Sequence, residues 1–135
     1  MKLPALALTA LLSLAGCVTT SRVEEPSPAS EDSDDGLSRT RLGETVAVGG
    51  PKVTPVALLE DSRCPTDTRC IWAGRVRVTV RVDLGRGSQM RELTQGQPVP
   101  VADGTLELVA VQPDKTEHPI APEAYRFGFR FMGGL

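Results

Sequence analysis

The chain has 135 residues, of which 40% are apolar and 24% are charged, and its formal net charge is −2. This composition excludes a disordered polyelectrolyte and a membrane-embedded protein, and the length allows one small domain once a targeting segment is removed. A single histidine and one closely spaced pair of cysteines after residue 17 are too few for a closed Cys/His zinc site or for most hydrolytic triads. We therefore expect no enzyme, no cofactor and no metal.

The first 16 residues have the pattern of a signal peptide. Lys2 supplies a cation, an apolar run covers residues 3–14, and small residues follow. A helix of about 12 residues is only about 18 Å long, too short for a hydrocarbon core of roughly 30 Å. The sequence Leu-Ala-Gly-Cys at 14–17 resembles the lipobox of bacterial lipoproteins, which are acylated on the cysteine and cleaved just before it. We expect residues 1–16 to be a lipoprotein signal peptide and Cys17 to carry the lipid; the alternative is an ordinary signal peptide and a spare thiol.

The residues after Cys17 predict a cellular location and a linker. Val18, rather than Asp, follows the cysteine, which by resemblance to Gram-negative lipoprotein sorting favours the periplasmic face of the outer membrane. Residues 18–36 hold six carboxylates and one cation, a formal charge of −5. Because such a segment cannot build a core, residues 17–36 should form a disordered acidic linker. Residues 37–135, with 13 Lys and Arg against 11 Asp and Glu, then form the single domain.

Apolar residues in this domain repeat with a period of two, which is typical of half-buried β-strands. The strongest example is 75–82, where four valines alternate with three arginines and a threonine. The segment 125–131 repeats the pattern with aromatic residues on the inner side. Weaker strands are predicted over 45–48, 53–59, 89–94 and 105–111. The pattern indicates an all-β fold, a small antiparallel β-sandwich or barrel-like domain of about six to seven strands, in which Pro55 marks an edge strand or a bulge.

Two cysteines remain in the domain if Cys17 is acylated. They have five residues between them, and in an oxidising compartment an even remainder favours a disulfide between Cys64 and Cys70. Metal binding by the two thiolates with His118 is one alternative, in competition with oxidation. A redox-active pair is another, although the cysteines of such pairs typically have two residues between them and lie at the start of a helix.

The segment around these cysteines carries a resemblance. It reads Asp-Ser-Arg-Cys-Pro, four residues, Cys, Ile and then Trp-Ala-Gly over 61–74, and an alternating strand follows at once. It resembles small bacterial secreted proteins and lipoproteins that share Asp-Ser-Arg-Cys-Pro, a four-residue gap, Cys and aromatic-Ala-Gly. A closing strand with a tyrosine, here 125–131, extends the likeness across the domain. The resemblance implies a cellular location and a fold, and it identifies no catalytic residues.

The residues of this segment are interpreted mainly as structural. Asp61 and Ser62 are typical turn formers, Trp72 is expected to cap one end of the core, and Gly74 is expected to have a positive φ or to form a bulge. The alternative is an epitope for a partner, displayed on a rigid loop.

Arginines of the two strongest strands form a candidate anion-binding face. Strand alternation turns them away from the core, and if the two strands are neighbours the guanidinium groups would bind phosphates of lipopolysaccharide or carboxylates of peptidoglycan. The alternative is a solvated face on which Glu92 and Glu107 lie between the arginines. The residues of this face are Arg75, Arg77, Arg81, Arg126 and Arg130.

No residue is predicted to be catalytic. His118 lies in a proline-bounded loop, Ser62 lacks a Gly-x-Ser-x-Gly setting, and carboxylates such as Asp61, Asp67 and Glu60 usually serve turns at such positions. We expect an outer-membrane-anchored periplasmic lipoprotein, attached through its lipid, whose β domain binds or supports an envelope component: lipopolysaccharide, peptidoglycan or a protein, and no nucleic acid. The alternatives are an inhibitor of a periplasmic or secreted enzyme and, further behind, a minor enzyme or metal carrier.

Overall fold

A computed structural model describes residues 35–133, which contain eight β-strands. One turn of 3-10 helix, Pro122–Ala124, precedes the last strand. Within this part of the chain, no helix has the length and apolar character that crossing a membrane requires. In chain order the strands are β1 (Ser38–Thr40), β2 (Val46–Ala47), β3 (Lys52–Asp61), β4 (Val76–Asp83), β5 (Ser88–Thr94), β6 (Val99–Val101), β7 (Gly104–Gln112) and β8 (Arg126–Gly133).

The strands form two four-stranded sheets that enclose one core. One sheet has the order β1-β8-β7-β6 and the other β2-β3-β4-β5, and all neighbouring strands are antiparallel. The predicted all-β class is confirmed, and of the two predicted architectures the sandwich is correct, since the sheets do not close into a barrel. All six predicted strands are present.

Two strands are additional to the six that the sequence pattern reveals. β1 and β6 have three residues each, and three residues contain too little alternation to be distinguished from a loop. β6 also contains Pro100, a residue that is depleted in strands. These two strands form the opposite edges of one sheet. At an edge, a proline removes no essential backbone donor.

The core consists of the inner positions of the strongest strands. In β4 the four valines are fully buried and the residues between them face outward, and in β8 Phe127 and Phe129 are fully buried. Each such side chain contributes about 1.5–3 kcal/mol when it is removed from water. The alternation predicted for these two strands is therefore the alternation that defines the core. The other fully buried side chains include Val53, Leu93, Val101, Leu106 and Leu108.

Strand β3 contains two irregularities. Its register with β4 shifts between Pro55 and Ala57 and again between Leu58 and Glu60, so that Val56 and Leu59 are extra residues in the strand. Both extra residues are about half exposed, at 51% and 47%. The predicted bulge at Pro55 is confirmed, because a proline interrupts the ladder at this position.

Two long connections meet at one end of the sandwich. We call residues 62–75, between β3 and β4, the cysteine loop, and residues 113–125, between β7 and β8, the proline loop. The backbone amide of Thr66 in the first donates to the carbonyl of Lys115 in the second over 2.8 Å. At the opposite end, short turns surround an open cleft of about 620 Å³ whose lining includes Lys52, Asp83 and Phe131.

The predicted single face of five arginines is wrong. β4 carries Arg77 and Arg81 in one sheet, while β8 carries Arg126 and Arg130 in the other, because the chain crosses between the sheets after β5. Arg75 stands just before β4 and shares the sheet of that strand. The arginines therefore lie on opposite outer surfaces of the sandwich and cannot contact one anion together.

Carboxylates accompany these arginines, as the alternative interpretation expected. The Nε of Arg77 donates to Glu92 over 2.8 Å, and its Nη1 lies 3.4 Å from an oxygen of Glu60. In the other sheet Arg130 stands opposite Glu107 in the β7–β8 register. Both outer surfaces therefore alternate cations with anions.

Several predictions fall on residues that the structure does not describe. The signal peptide over 1–16, the lipidated Cys17 and the linker up to residue 34 lie outside the described range. Asp35 and Gly36, the last two residues of the predicted linker, lie in the turn before β1. There the Asp35 carboxylate accepts hydrogen bonds from the Leu37 amide (3.1 Å) and from Nη1 of Arg39 (2.9 Å).

Candidate functional site

A disulfide closes the tip of the cysteine loop. Cys64 and Cys70 are bonded, and their Cα atoms are 5.9 Å apart, within the usual range for a disulfide. The predicted bridge is confirmed. The ring that it closes contains Thr66, Asp67, Thr68 and Arg69, all of which are exposed.

The carboxylate of Asp61 fixes the start of this loop. It accepts hydrogen bonds from Nε and Nη2 of Arg63, each over 2.8 Å, and from the hydroxyl of Tyr125, also over 2.8 Å. A third nitrogen of Arg63, Nη1, donates to the carbonyl of Val111 over 3.1 Å. The network therefore joins the end of β3 to the end of β7 and the start of β8. Paired contacts of a guanidinium with a carboxylate are among the stronger hydrogen bonds in proteins.

The network changes the pKa values of its members. Burial alone would raise the pKa of Asp61, but the hydrogen bonds from Arg63 and Tyr125 and the charge of Arg63 outweigh it and lower the pKa to about 2. Burial, followed by the hydrogen bond to Asp61, raises the pKa of Tyr125 to about 12. The hydrogen bond to Asp61 raises the pKa of Arg63. The stabilisation by Asp61 is therefore complete above about pH 4 and is lost as the pH falls through 2.

The proline loop holds the cysteine loop from the side. Besides the backbone bond of Thr66, the hydroxyl of Thr68 donates to Oε1 of Glu117 over 2.7 Å. The ammonium group of Lys115 donates to the carbonyl of Asp61. These contacts attach the second loop to the disulfide ring at two points, Thr66 and Thr68, and to the end of β3 at Asp61.

The two ends of the cysteine loop are tied to each other. The amide of Ser62 donates to the carbonyl of Arg75 over 2.9 Å, and the amide of Arg75 donates to the Ser62 hydroxyl over 3.0 Å. That hydroxyl donates to Oε1 of Glu60 over 2.9 Å, and it is the first of several bonds that lower the pKa of Glu60. Ser62 therefore holds together the two ends of the loop, residues 62–63 and 74–75, which we call the loop neck.

Gly74 is needed for a reason other than the expected one. It is not among the described glycines with a positive φ. Instead, a Cβ at this position would lie 1.6 Å from the carbonyl oxygen of Ser62 and 2.6 Å from the Cα of Arg63. The two chain segments of the loop neck therefore pass so closely that only a residue without a side chain fits at position 74.

The apolar pair after the disulfide is exposed. Ile71 is 97% exposed and Trp72 is 63% exposed. The predicted role of Trp72 as a cap over the core is therefore wrong. Tyr125 takes that place: it is 5% exposed and stacks on Phe127 with ring centroids 5.8 Å apart.

The remaining candidates are not brought together. His118 is exposed, and its backbone amide donates to the hydroxyl of Thr116 over 3.3 Å. Among residues 35–133, no three His, Cys, Asp or Glu side chains are grouped so that they could hold a metal ion. Asp67 is exposed on the disulfide ring, away from the buried Asp61.

Sequence reasoning missed the roles of Arg63 and Tyr125. Asp61 and Arg63 are two positions apart, and an extended segment places alternate residues on one side, so this spacing contained a signal for the ion pair. Tyr125 is 64 positions from Asp61. No local pattern predicts a hydrogen bond over that separation.

Comparisons with protein-family models, with curated proteins and with solved structures find no match for this chain.

We expect Tyr125, the only tyrosine of the chain, to ionise near pH 12 instead of its ordinary 10.0. Absorbance of tyrosinate during a pH titration measures this directly. Asp61→Asn should move the midpoint down toward the ordinary value because it removes the neighbouring negative charge. Asp67→Asn, at an exposed carboxylate of the same loop, should leave the midpoint unchanged. Equal midpoints in the wild type and the Asp61 variant would contradict the proposed coupling.

We expect Gly74→Ala to destabilise the domain by about 1–3 kcal/mol or more, because the neighbouring backbone must move to admit the methyl group. Urea unfolding followed by circular dichroism gives the change. Ala73→Ser, at the adjacent exposed position, is the control and should change the free energy of unfolding by less than about 0.5 kcal/mol. The close approach in the loop neck is disproved if the two variants unfold at the same midpoint.

Proposed function

We propose that this chain is a lipid-anchored binding module of the bacterial cell envelope. Cys17 carries the lipid, the protein faces the periplasm from the outer membrane, and the acidic segment before residue 35 separates the lipid from the domain. The domain binds a protein of the envelope through its cysteine loop. The observation that carries this proposal is the exposure of Ile71 (97%) and Trp72 (63%) on a loop fixed by a disulfide.

Rigidity makes this apolar pair suitable for binding. Ordering a flexible loop on association costs about 0.5–1.5 kcal/mol for each side chain that is immobilised, and a loop fixed in advance avoids part of that cost. Hydrogen bonds that Asp61 and Ser62 accept, and one that Thr68 donates, hold the cysteine loop before any partner arrives. Tryptophan and arginine are the residue types that most often dominate binding energy at protein interfaces. Trp72 and the exposed Arg69 stand three positions apart on this loop.

The arginines of the sheet surfaces support a protein partner rather than an anionic polymer. Arg75 lies 3.0 Å from a carboxylate oxygen of Glu60, and Arg81 lies 3.3 Å from one of Asp83. An anion would have to replace these carboxylates. The five arginines therefore do not form the single face on which lipopolysaccharide or peptidoglycan was expected to bind.

A second candidate function is inhibition of a periplasmic or secreted enzyme. The observation that favours it is the exposed disulfide ring from Thr66 to Arg69 beside the exposed Ile71. A rigid loop of this kind has the shape needed to enter an active-site cleft. The two functions differ in the partner, since an inhibitor must reduce the activity of the enzyme that it binds.

The first experiment tests the anchor. Cys17→Ser should move the protein from the membrane fraction to the soluble periplasm and leave its circular dichroism spectrum unchanged, because the linker separates the lipid from the fold. Fractionation followed by detection of the protein measures this. Cys64→Ser combined with Cys70→Ser, which removes the disulfide of the domain and leaves Cys17 in place, is the control that should stay with the membrane. If the Cys17 variant still sediments with membranes that have been washed free of partner proteins, lipidation at this position is excluded.

The second experiment tests the loop. The double change Ile71→Ser and Trp72→Ser should abolish retention of the partner when the protein is cross-linked in cells and purified, because these side chains supply the apolar contact. Val56→Ser with Met90→Ser is the matched control, since these residues are 51% and 53% exposed on the strands. Both double variants should unfold near the wild-type midpoint. Retention of the same partner by both would show that binding does not use the cysteine loop.

A further inference from the structure

The disulfide ring carries an arginine that is free for a partner. Arg69 is exposed, and within residues 35–133 its side chain makes no hydrogen bond or ion pair. The other two arginines of the cysteine loop are engaged, Arg63 with Asp61 and Arg75 with Glu60. A guanidinium group presents its donors in a planar fork that fits a carboxylate. Arg69 is therefore the cation through which this loop can reach a carboxylate of another protein.

The backbone that follows this arginine is also free. The amides and carbonyls of residues 69–73 make no hydrogen bond within the described part of the chain, and four of these five residues are exposed. Backbone polar groups that are removed from water need partners. A protein that covers this segment must therefore supply donors and acceptors to its main chain. Clefts that bind peptides do so through main-chain hydrogen bonds, while side-chain pockets supply the specificity.

Covalent and hydrogen bonds hold the chain on both sides of Arg69. Before it, the hydroxyl of Thr68 donates to Glu117 of the proline loop over 2.7 Å. After it, Cys70 is bonded to Cys64. The peptide bond between residues 69 and 70 therefore belongs to a ring that is fixed to a second loop. Such a segment loses little conformational freedom when it enters a cleft.

We infer that the cysteine loop binds in the active-site cleft of an endopeptidase that cleaves after arginine. Arg69 occupies the pocket that selects the side chain, and the exposed Ile71 and Trp72 contact the cleft beyond the scissile bond. This inference rests on the proposed function in its second form, the inhibition of an enzyme, and names the class of that enzyme. A pocket selective for arginine contains a carboxylate, and the unpaired guanidinium of Arg69 is its counterpart.

The disulfide makes this loop an inhibitor rather than a substrate. Hydrolysis between Arg69 and Cys70 adds one water and leaves a carboxylate on the first residue and an amine on the second. The bridge to Cys64 keeps both new ends in one molecule, so no fragment leaves the enzyme. Because the amine stays next to the carboxyl group, it can re-form the peptide bond with release of water, and holding two reacting groups together favours that reverse step.

The test measures inhibition of trypsin, an enzyme that cleaves after lysine and arginine, by the full-length lipidated chain in detergent. We expect competitive inhibition. Arg69→Gln should weaken it at least about thirtyfold, because the carboxylate of the pocket loses its partner, whereas Arg69→Lys should retain inhibition. Arg86→Gln, at an exposed arginine in the turn between β4 and β5, is the matched control and should leave inhibition unchanged. None of these side chains has a partner within residues 35–133, so the fold should be unaffected.

A second measurement follows the ring. Wild-type protein that trypsin has cut at Arg69 should gain the mass of one water and separate into two fragments only after reduction. Cys64→Ser with Cys70→Ser should be cut at the same bond, fall into two fragments without reduction and lose inhibition.

The outcomes are distinct. Trypsin that stays fully active with the wild type, or equal inhibition by the wild type and Arg69→Gln, overturns the inference. Inhibition of chymotrypsin, which selects aromatic side chains, in place of trypsin overturns it in favour of Trp72 as the selected residue. In each of these cases the proposed function still stands if Ile71→Ser with Trp72→Ser abolishes retention of the partner in cells. The proposed function fails separately if that double variant retains the partner as the wild type does.

Discussion

The buried carboxylate of Asp61 is the group on which the loop end of the sandwich depends. Its side chain is only 6% exposed, and an unpaired charge in such a place would be costly. Arg63 and Tyr125 satisfy it, and Arg63 also reaches the carbonyl of Val111 in the facing sheet. Because these partners come from different parts of the chain, the network is complete only when the two sheets have packed. The disulfide closes the tip of the loop whose base this network holds.

This arrangement explains how a domain of modest size can display a large apolar side chain. Tyr125 closes the core and stacks on Phe127, so Trp72 is not needed there and stays outside. Gly74 lets the two sides of the loop neck pass in contact. The loop is thus fixed at its base, and residues 71 and 72, next to its disulfide, remain exposed.

The parts of the fold that the sequence predicted are those governed by local pattern. The valines of β4 alternate with arginine and threonine, and the phenylalanines of β8 alternate with glycine and arginine, so the pattern predicts which side of each strand is buried. The pairing of Cys64 with Cys70 follows from counting once Cys17 is assigned to the lipid. The expectation of one arginine face failed because two similar strands need not be neighbours, and strand order depends on where the chain crosses between the sheets.

By itself the sequence determined the β class, the inner and outer sides of the main strands, and the cysteine pair, because each depends on residues close together in the chain. It also predicts the lipid anchor, which rests on a short motif and its position. Only the tertiary structure decided that Tyr125 rather than Trp72 caps the core, that Tyr125 donates to the carboxylate of Asp61, and that the arginines lie on opposite surfaces. These outcomes depend on contacts between residues far apart in sequence, and such contacts are set by how the two sheets pack.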